Sequence, residues 1–284
     1  MEESGTKPSK PGSAPRQPWW RSGTLIIVLV FFGYKAGVTT PITALSPGAC
    51  APISGFLGPE DIAIDAERGL AYITHADRFG VMEKGASPEG AIDRLDLNDP
   101  KARPHSLQPL PKDEFFPHGL DLWIGPDGTR RLFVVNHGAN GHDHHIEIFS
   151  LTALGRLIHE QSIASPLFID PNDVLATGPD SFYVTNLYGS ETKTGRTIEG
   201  YSFLPRATVV YHDGSESRIV ADGLQMANGI AASLDGSMIY VAEVSGRAIT
   251  AFHRDEQSRE HKRAWPLTIH MGVHNLSRDH AGDL

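Results

Sequence analysis

Pro171-Asn172-Asp173-Val174-Leu175-Ala176-Thr177-Gly178-Pro179-Asp180-Ser181-Phe182-Tyr183-Val184-Thr185-Asn186 reads as a polar pair, a short apolar strand, a turn and a second apolar strand. The Gly-Pro-Asp cluster between the two apolar runs is turn chemistry. The same phrase recurs along the chain. Its polar pairs are Glu60-Asp61, His118-Gly119, Asn172-Asp173, Asn228-Gly229 and His274-Asn275. The second members of the pairs are 58, 54, 56 and 46 residues apart. The partner strands are expected at 69–74, 131–136, 181–185 and 238–243, with outer strands at 146–151, 208–212, 218–221 and 248–253. Strand-turn-strand content at this period predicts an all-β fold, a β-propeller, with one blade per repeat. No helix-period segment of any length stands out after residue 50.

Composition agrees. The chain has 284 residues, 29 Gly, 20 Pro, 40% hydrophobic residues and a net charge of −9. The first 49 residues hold five basic and two acidic side chains, so the rest carries a net −12. An acidic body argues against nucleic acid as a partner and is compatible with cations. The single cysteine, Cys50, has no internal partner. It is either an inert thiol or half of a disulfide completed elsewhere.

Residues 1–22 are rich in Ser, Pro, Gly and Lys and are expected to be a disordered cytoplasmic tail. An apolar run over 23–45 follows Trp19-Trp20-Arg21. It is long enough for a single-pass membrane signal anchor that leaves the body, 46–284, on the lumenal or extracellular side. Lys35 interrupts the run and would have to snorkel or find a partner. A cleaved signal peptide is the competing reading. The last repeat stops at Gly282-Asp283-Leu284, where its second strand should begin, so the pattern predicts a propeller truncated in its fifth blade.

The innermost strands of a propeller line its axis, so residues at one repeat position share one ring. Glu60, Asn172, Asn228 and Asn275 would bring four oxygen-bearing side chains to that ring, the donor type a Ca²⁺ ion requires. Asp61 and Asp173 lie one residue further on, where strand side chains point the other way, and could serve a second, deeper ion. Taken singly, Asn-Gly and Asn-Asp pairs are turns and Glu-Asp is solvated surface. Their shared register sets them apart. His118 belongs to one pair, and His137 ends the partner strand of the same repeat. The two are either structural hydrogen-bonding residues or a base with its tuning partner. The run His142-Asp143-His144-His145 reads as a solvated loop or, second, an adventitious metal site. Nucleophile-elbow, phosphate-loop and dinucleotide motifs are absent.

Gly58-Pro59-Glu60-Asp61, Phe116-Pro117-His118-Gly119, Leu132–Gly138, Pro171-Asn172-Asp173-Val174 with 178–186, and Ala227-Asn228-Gly229-Ile230 with 235–243 together resemble the paraoxonase/arylesterase family. That family is a group of calcium-dependent six-bladed propellers, and the resemblance runs from about Cys50 to Leu284. It implies two Ca²⁺ ions. Glu60, Asn172, Asn228 and Asn275 match ligands of a catalytic ion. Asp61, Asp173 and the Leu120 carbonyl match ligands of a structural one. His118 and His137 match a catalytic dyad, and Cys50 half of a disulfide. The sequence departs from the family at His274, where an Asp is usual, and at Leu187-Tyr188, where a polar pair is usual. The expected activity is Ca²⁺-dependent hydrolysis of aryl esters or lactones. A membrane-tethered binding propeller and a sugar lactonase are the rivals.

Overall fold

The structure, a computed structural model, describes residues 30–34, 37–39, 41, 51–80, 90–107, 110–111, 114–138, 141–255, 261–264, 266–269, 271–279 and 281–284. The expected cytoplasmic tail and Cys50 lie outside these residues, as does most of the 23–45 segment. No helix of the described residues is long and apolar enough to cross a membrane. Met1–Thr43 and Ala44–Leu284 are separate units, and every strand among the described residues belongs to the second.

Four antiparallel sheets succeed one another in chain order. The first is β1 (Pro59–Asp65), β2 (Leu70–Ala76), β3 (Gly90–Asp96) and β4 (His105–Leu107). The second is β5 (Pro117–Ile124), β6 (Arg130–Asn136), β7 (His145–Leu151) and β8 (Leu157–Ala164). The third is β9 (Pro171–Ala176), β10 (Phe182–Asn186), β11 (Ala207–His212) and β12 (Ser217–Leu224). The fourth is β13 (Ala227–Ala232), β14 (Met238–Glu243), β15 (Ala248–Arg254) and β16 (His261–Arg263), with β17 (Leu267–Thr268) also on β15. Each sheet is a meander, as expected for a propeller blade. The fifth polar pair, His274-Asn275, comes next without a strand among the described residues.

The second strand of each blade is apolar in its middle, where both of its faces are covered. Successive side chains point to opposite faces. Leu132 and Val134 of β6 therefore pack with Tyr72, Ile92 and Phe149 between blades one and two. Phe133 and Val135 pack with Phe182, Val184 and Val210 between blades two and three. Tyr183, Val209, Ile239 and Val241 repeat the arrangement between blades three and four. Each such fully buried side chain contributes about 1.5–3 kcal/mol.

One helix contradicts the sequence expectation. α1 (Lys193–Ser202) stands between β10 and β11. Its sequence, with Gly195, Gly200 and two Thr, has low intrinsic propensity, and its two large apolar side chains, Ile198 and Tyr201, are exposed. Its cap, the preceding loop and β9's approach hold it instead. Thr192 caps it by accepting from the Gly195 amide. Buried Glu199 accepts from the Gly189 amide and the Ser190 hydroxyl. Arg196 donates to Asp170 Oδ1 at 2.7 Å, to the Ile169 carbonyl at 2.8 Å and to the Ser190 carbonyl at 3.0 Å.

Candidate metal centre and catalytic mouth

Every polar pair with a partner strand sits in a β-bulge. The pairing register slips between Pro59 and Asp61, between Pro117 and Leu120, opposite Pro171–Val174, and between Ala227 and Ile230. A bulge inserts a residue and re-aims a side chain. At four equivalent places the strands thus turn their first polar residues out of the regular alternation. Two threonines brace the bulges. Thr74 accepts from the Asp61 amide at 3.3 Å and donates to the His118 carbonyl at 2.6 Å. Thr185 accepts from the Asp173 amide at 3.1 Å and donates to the Asn228 carbonyl at 2.6 Å. Each hydroxyl joins its own blade to the next.

The second members of the pairs alternate Asp61, Gly119, Asp173, Gly229, and packing explains why. Asp61 Oδ2 accepts from the Leu120 amide and Asp173 Oδ2 from the Ile230 amide, both at 2.9 Å. A Cβ on Gly119 would fall 2.5 Å from Asp173 Oδ1, and one on Gly229 would fall 2.4 Å from the Leu276 amide nitrogen. Neither approach leaves room for a side chain. Asn275 Nδ2 donates to the Glu60 carbonyl at 2.7 Å and to Asp61 Oδ1 at 3.2 Å. The inner segments therefore touch pairwise around a closed ring.

Within this ring Glu60 Oε1 and Oε2, Asn172 Oδ1, Asn228 Oδ1 and Asn275 Oδ1 are all buried without a hydrogen-bond donor. Buried acceptors are ordinarily paired, and each unpaired one costs about 1–3 kcal/mol. Five such oxygens gathered on one ring fit a hard cation, which takes six to eight oxygens with water supplying the rest. Among the described residues no three His, Cys, Asp or Glu side chains gather as metal ligands; here three of the four side chains are Asn.

One layer deeper, Asp61 and Asp173 line an axial cavity of about 800 Å³ with Ile62, Ile64, Ile124 and Leu234. Burial, with the Glu60 charge beside it, pushes the Asp61 carboxyl up to about 6. Burial and the Asp61 charge push Asp173 well above the carboxylate range. Two desolvated carboxyls side by side call for a cation or a proton. Leu120 reaches this layer through its amide, the donor to Asp61.

His118 Nδ1 lies 3.0 Å from His137 Nε2, so the hairpin brings the two imidazoles together. His118 Nε2 lies 3.3 Å from Glu60 Oε1, a contact outside hydrogen-bond geometry for that oxygen. Burial pushes Glu60 up, but His118, Arg78 and His274 outweigh it and hold the carboxyl below its ordinary value. Burial holds His137 neutral, its pKa well below the usual imidazole range. His144 departs from the solvated-loop reading: its Nδ1 lies 2.9 Å from His137 Nδ1, and the ring is part-buried. In the sequence His144 is only one of a histidine run, and nothing there points to Asp170 or Arg196. A clue to the threonine braces is present, since Thr74 and Thr185 close equivalent strands.

Fold and site together define a β-propeller whose axial mouth joins an oxygen-lined ring to a histidine pair. The sequence profile of the arylesterase family matches residues 49–284. Rat serum paraoxonase/arylesterase 1 is 32% identical over 220 residues, covering 75% of this chain and 61% of that protein. Mouse serum paraoxonase/lactonase 3 is 32% identical over 269 residues, 90% of this chain and 73% of that protein. Human serum paraoxonase/arylesterase 2 is 34% identical over 206 residues, 70% and 57% of the two chains. A solved structure assigned as a gluconolactonase matches with a TM-score of 0.50 at 16% identity, over 80% of this chain and 70% of that one, a likeness of fold. The chain belongs to the paraoxonase/arylesterase family.

Proposed function

We propose that this protein is a Ca²⁺-dependent hydrolase of aryl esters or lactones. The carrying observation is the set of five buried, donor-less oxygens on Glu60, Asn172, Asn228 and Asn275. These four residues would hold one ion. Asp61 and Asp173, with the Leu120 carbonyl, would hold a second that relieves their mutual repulsion. An ion in the upper ring supplies Lewis-acid polarisation of the substrate carbonyl and offsets developing oxyanion charge. His118 removes a proton from the attacking water, and neutral His137 holds the His118 ring through Nδ1.

The basic flank and the apolar run at 23–45 support a membrane tether, with the propeller on the lumenal or extracellular face. The family resemblance supports a six-bladed plan; among the described residues four blades and a fifth polar pair are present.

Turnover of phenyl acetate and of a simple lactone, measured with and without a chelator, tests the reading. Chelator-sensitive turnover of either supports it; chelator-insensitive turnover contradicts it. Absence of turnover on both favours the second reading, a calcium-holding binding propeller. His274 favours that second reading, since it adds a basic group beside Glu60.

A further inference from the structure

Asn136 ends β6 directly before His137, is buried, and has every hydrogen-bonding position of its amide taken. Oδ1 accepts from the Phe116 amide at 2.9 Å and from the Gly138 amide at 3.0 Å. Nδ2 donates to the Glu114 carbonyl at 3.1 Å and to Glu147 Oε1 at 2.9 Å. Phe116 stands two residues before His118, and Gly138 directly follows His137. One side chain thus holds both segments from which the imidazoles extend. The strand ladder does little here. The His137 amide donates to the Phe116 carbonyl at 3.1 Å, but Pro117 has no N–H to give. The bulge then leaves His118 and Gly119 without partners in the β5–β6 register.

Glu147, on β7, decides which way the amide faces. A carboxylate only accepts, so Nδ2 must point at it. Glu147 is buried; its Oε2 accepts from the Ser162 hydroxyl and lies 2.9 Å from His159 Nε2, both on β8. A buried carboxylate is costly unless its oxygens are paired. Blades three and four manage the same bond with less. Asn186, ending β10, accepts from the Asp170 amide at 3.1 Å and donates to the Thr208 hydroxyl at 2.9 Å. Glu243, ending β14, accepts from the Gln225 amide at 2.7 Å and from the Thr250 hydroxyl. In both, the third strand supplies a neutral hydroxyl. In the blade that carries the imidazole pair, the third strand supplies a carboxylate.

We propose that Glu147 and Asn136 are positioning residues for that pair: the carboxylate orients the amide, and the amide sets the 3.0 Å approach of His118 Nδ1 to His137 Nε2. The inference rests on the hydrolase reading for its use, but not for its geometry. The reach of the Glu147 side chain matters here, not its charge. The oxygen-lined ring takes its side chains from blades one, three and four and from Asn275, and none from blade two. Loosening this amide therefore misdirects the histidines and leaves that ring in place. A misplacement of about 1 Å can cost on the order of a hundredfold in rate.

Two substitutions at Glu147 separate reach from charge. Glu147→Gln drops the charge and keeps an oxygen for Asn136; its kcat should stay within about threefold of the parent. Glu147→Asp keeps the charge and falls one carbon short; its kcat should drop by about tenfold or more, with KM and Ca²⁺ affinity within about threefold. Turnover of phenyl acetate and of a simple lactone, with calorimetric Ca²⁺ titration of the full chain, reads these values. Equal losses in the two variants, no loss in either, or a larger loss in Glu147→Gln contradicts the proposal. So does a matching fall in Ca²⁺ affinity, or a Glu147→Asp chain that does not fold, since either would assign the network to the fold alone. Amide hydrogen exchange reads the geometry without turnover. Phe116 and Gly138 should exchange about tenfold or more faster in Glu147→Asp than in the parent, and at the parent rate in Glu147→Gln. Unchanged exchange in Glu147→Asp overturns the proposal. A chain that shows the expected exchange but hydrolyses neither substrate rejects the hydrolase reading and leaves the amide network standing.

Discussion

Asn275 Nδ2 donates to the Glu60 backbone carbonyl at 2.7 Å, across 215 residues of sequence. This bond joins the last inner segment to the first and closes the ring on a polar contact rather than a strand ladder. It also fixes which end of the amide faces inward. With Nδ2 committed to Glu60 and Asp61, the Asn275 oxygen is left buried and without a donor, alongside those of Asn172 and Asn228.

Asn275→Ala removes both the seam and one ring oxygen. The expected outcome is a lower thermal midpoint and Ca²⁺ affinity reduced by about tenfold or more, since affinity tracks ligand count and site rigidity. Thermal denaturation and calorimetric titration measure the two. A fall in stability with unchanged calcium affinity would assign Asn275 to the seam alone.

Thr185→Val tests the bulge. The substitution keeps the shape and deletes the hydroxyl, leaving the Asp173 amide without its side-chain acceptor and the Asn228 carbonyl without its donor. A cost of about 1–3 kcal/mol is expected for stranding buried polar groups. Chemical denaturation should show it, with a loss of calcium affinity as Asp173 and Asn228 drift. Wild-type stability in this variant would remove the brace from the account.

The raised carboxyls set the effect of pH. Folding lifts Asp61 from its ordinary value of 3.8 to about 6, so the folded state binds more protons than the unfolded one between those values. Stability from this group therefore falls as pH rises from about 4 to 6 and stays low above. Burial pushes Asp121 to about 6 as well, with the same sign. His144, held at about 4, has the opposite sign: its contribution is complete above the unfolded histidine pKa and is lost as pH falls toward 4. The two trends overlap in any single melting curve. The difference between calcium-loaded and chelated midpoints isolates the carboxyls. It should widen as pH rises through about 6, because ion and proton compete for Asp61. A gap that narrows over that interval would place the ion elsewhere.

Phe133→Ala should cost about 3–5 kcal/mol, because Phe133 is fully buried between blades two and three against Phe182. Ile64→Ala should cost far less, because Ile64 faces the axial cavity and is 57% exposed. Urea denaturation compares the two. Equal costs would mean that the cavity is filled by packing rather than open.

Most of the blade plan is legible in the sequence. β14 spans the expected 238–243 residue for residue, and the other second strands differ at their ends by one or two positions. The repeat makes this possible, because one register position carries the same job in each blade. The bulges are not legible, since a bulge is a property of pairing between strands and both strands read as apolar runs. α1 is invisible because Lys193–Ser202 carries two glycines and only two large apolar side chains, and its ion pair with Asp170 comes from a residue that the fold delivers. His144 is visible only as part of a loop. Its contact with His137 spans seven residues through a turn that local pattern does not encode.

The central claim is that Glu60, Asn172, Asn228 and Asn275 turn their buried oxygens onto one divalent ion. Equilibrium Ca²⁺ titration of the chelated full chain, beside the Asn172→Ala/Asn228→Ala double variant, tests it most directly. The account predicts saturable binding in the parent and a loss of about a hundredfold or more in the double variant, two direct oxygens being gone. Absence of binding in the parent, or equal affinity in both proteins, would contradict it.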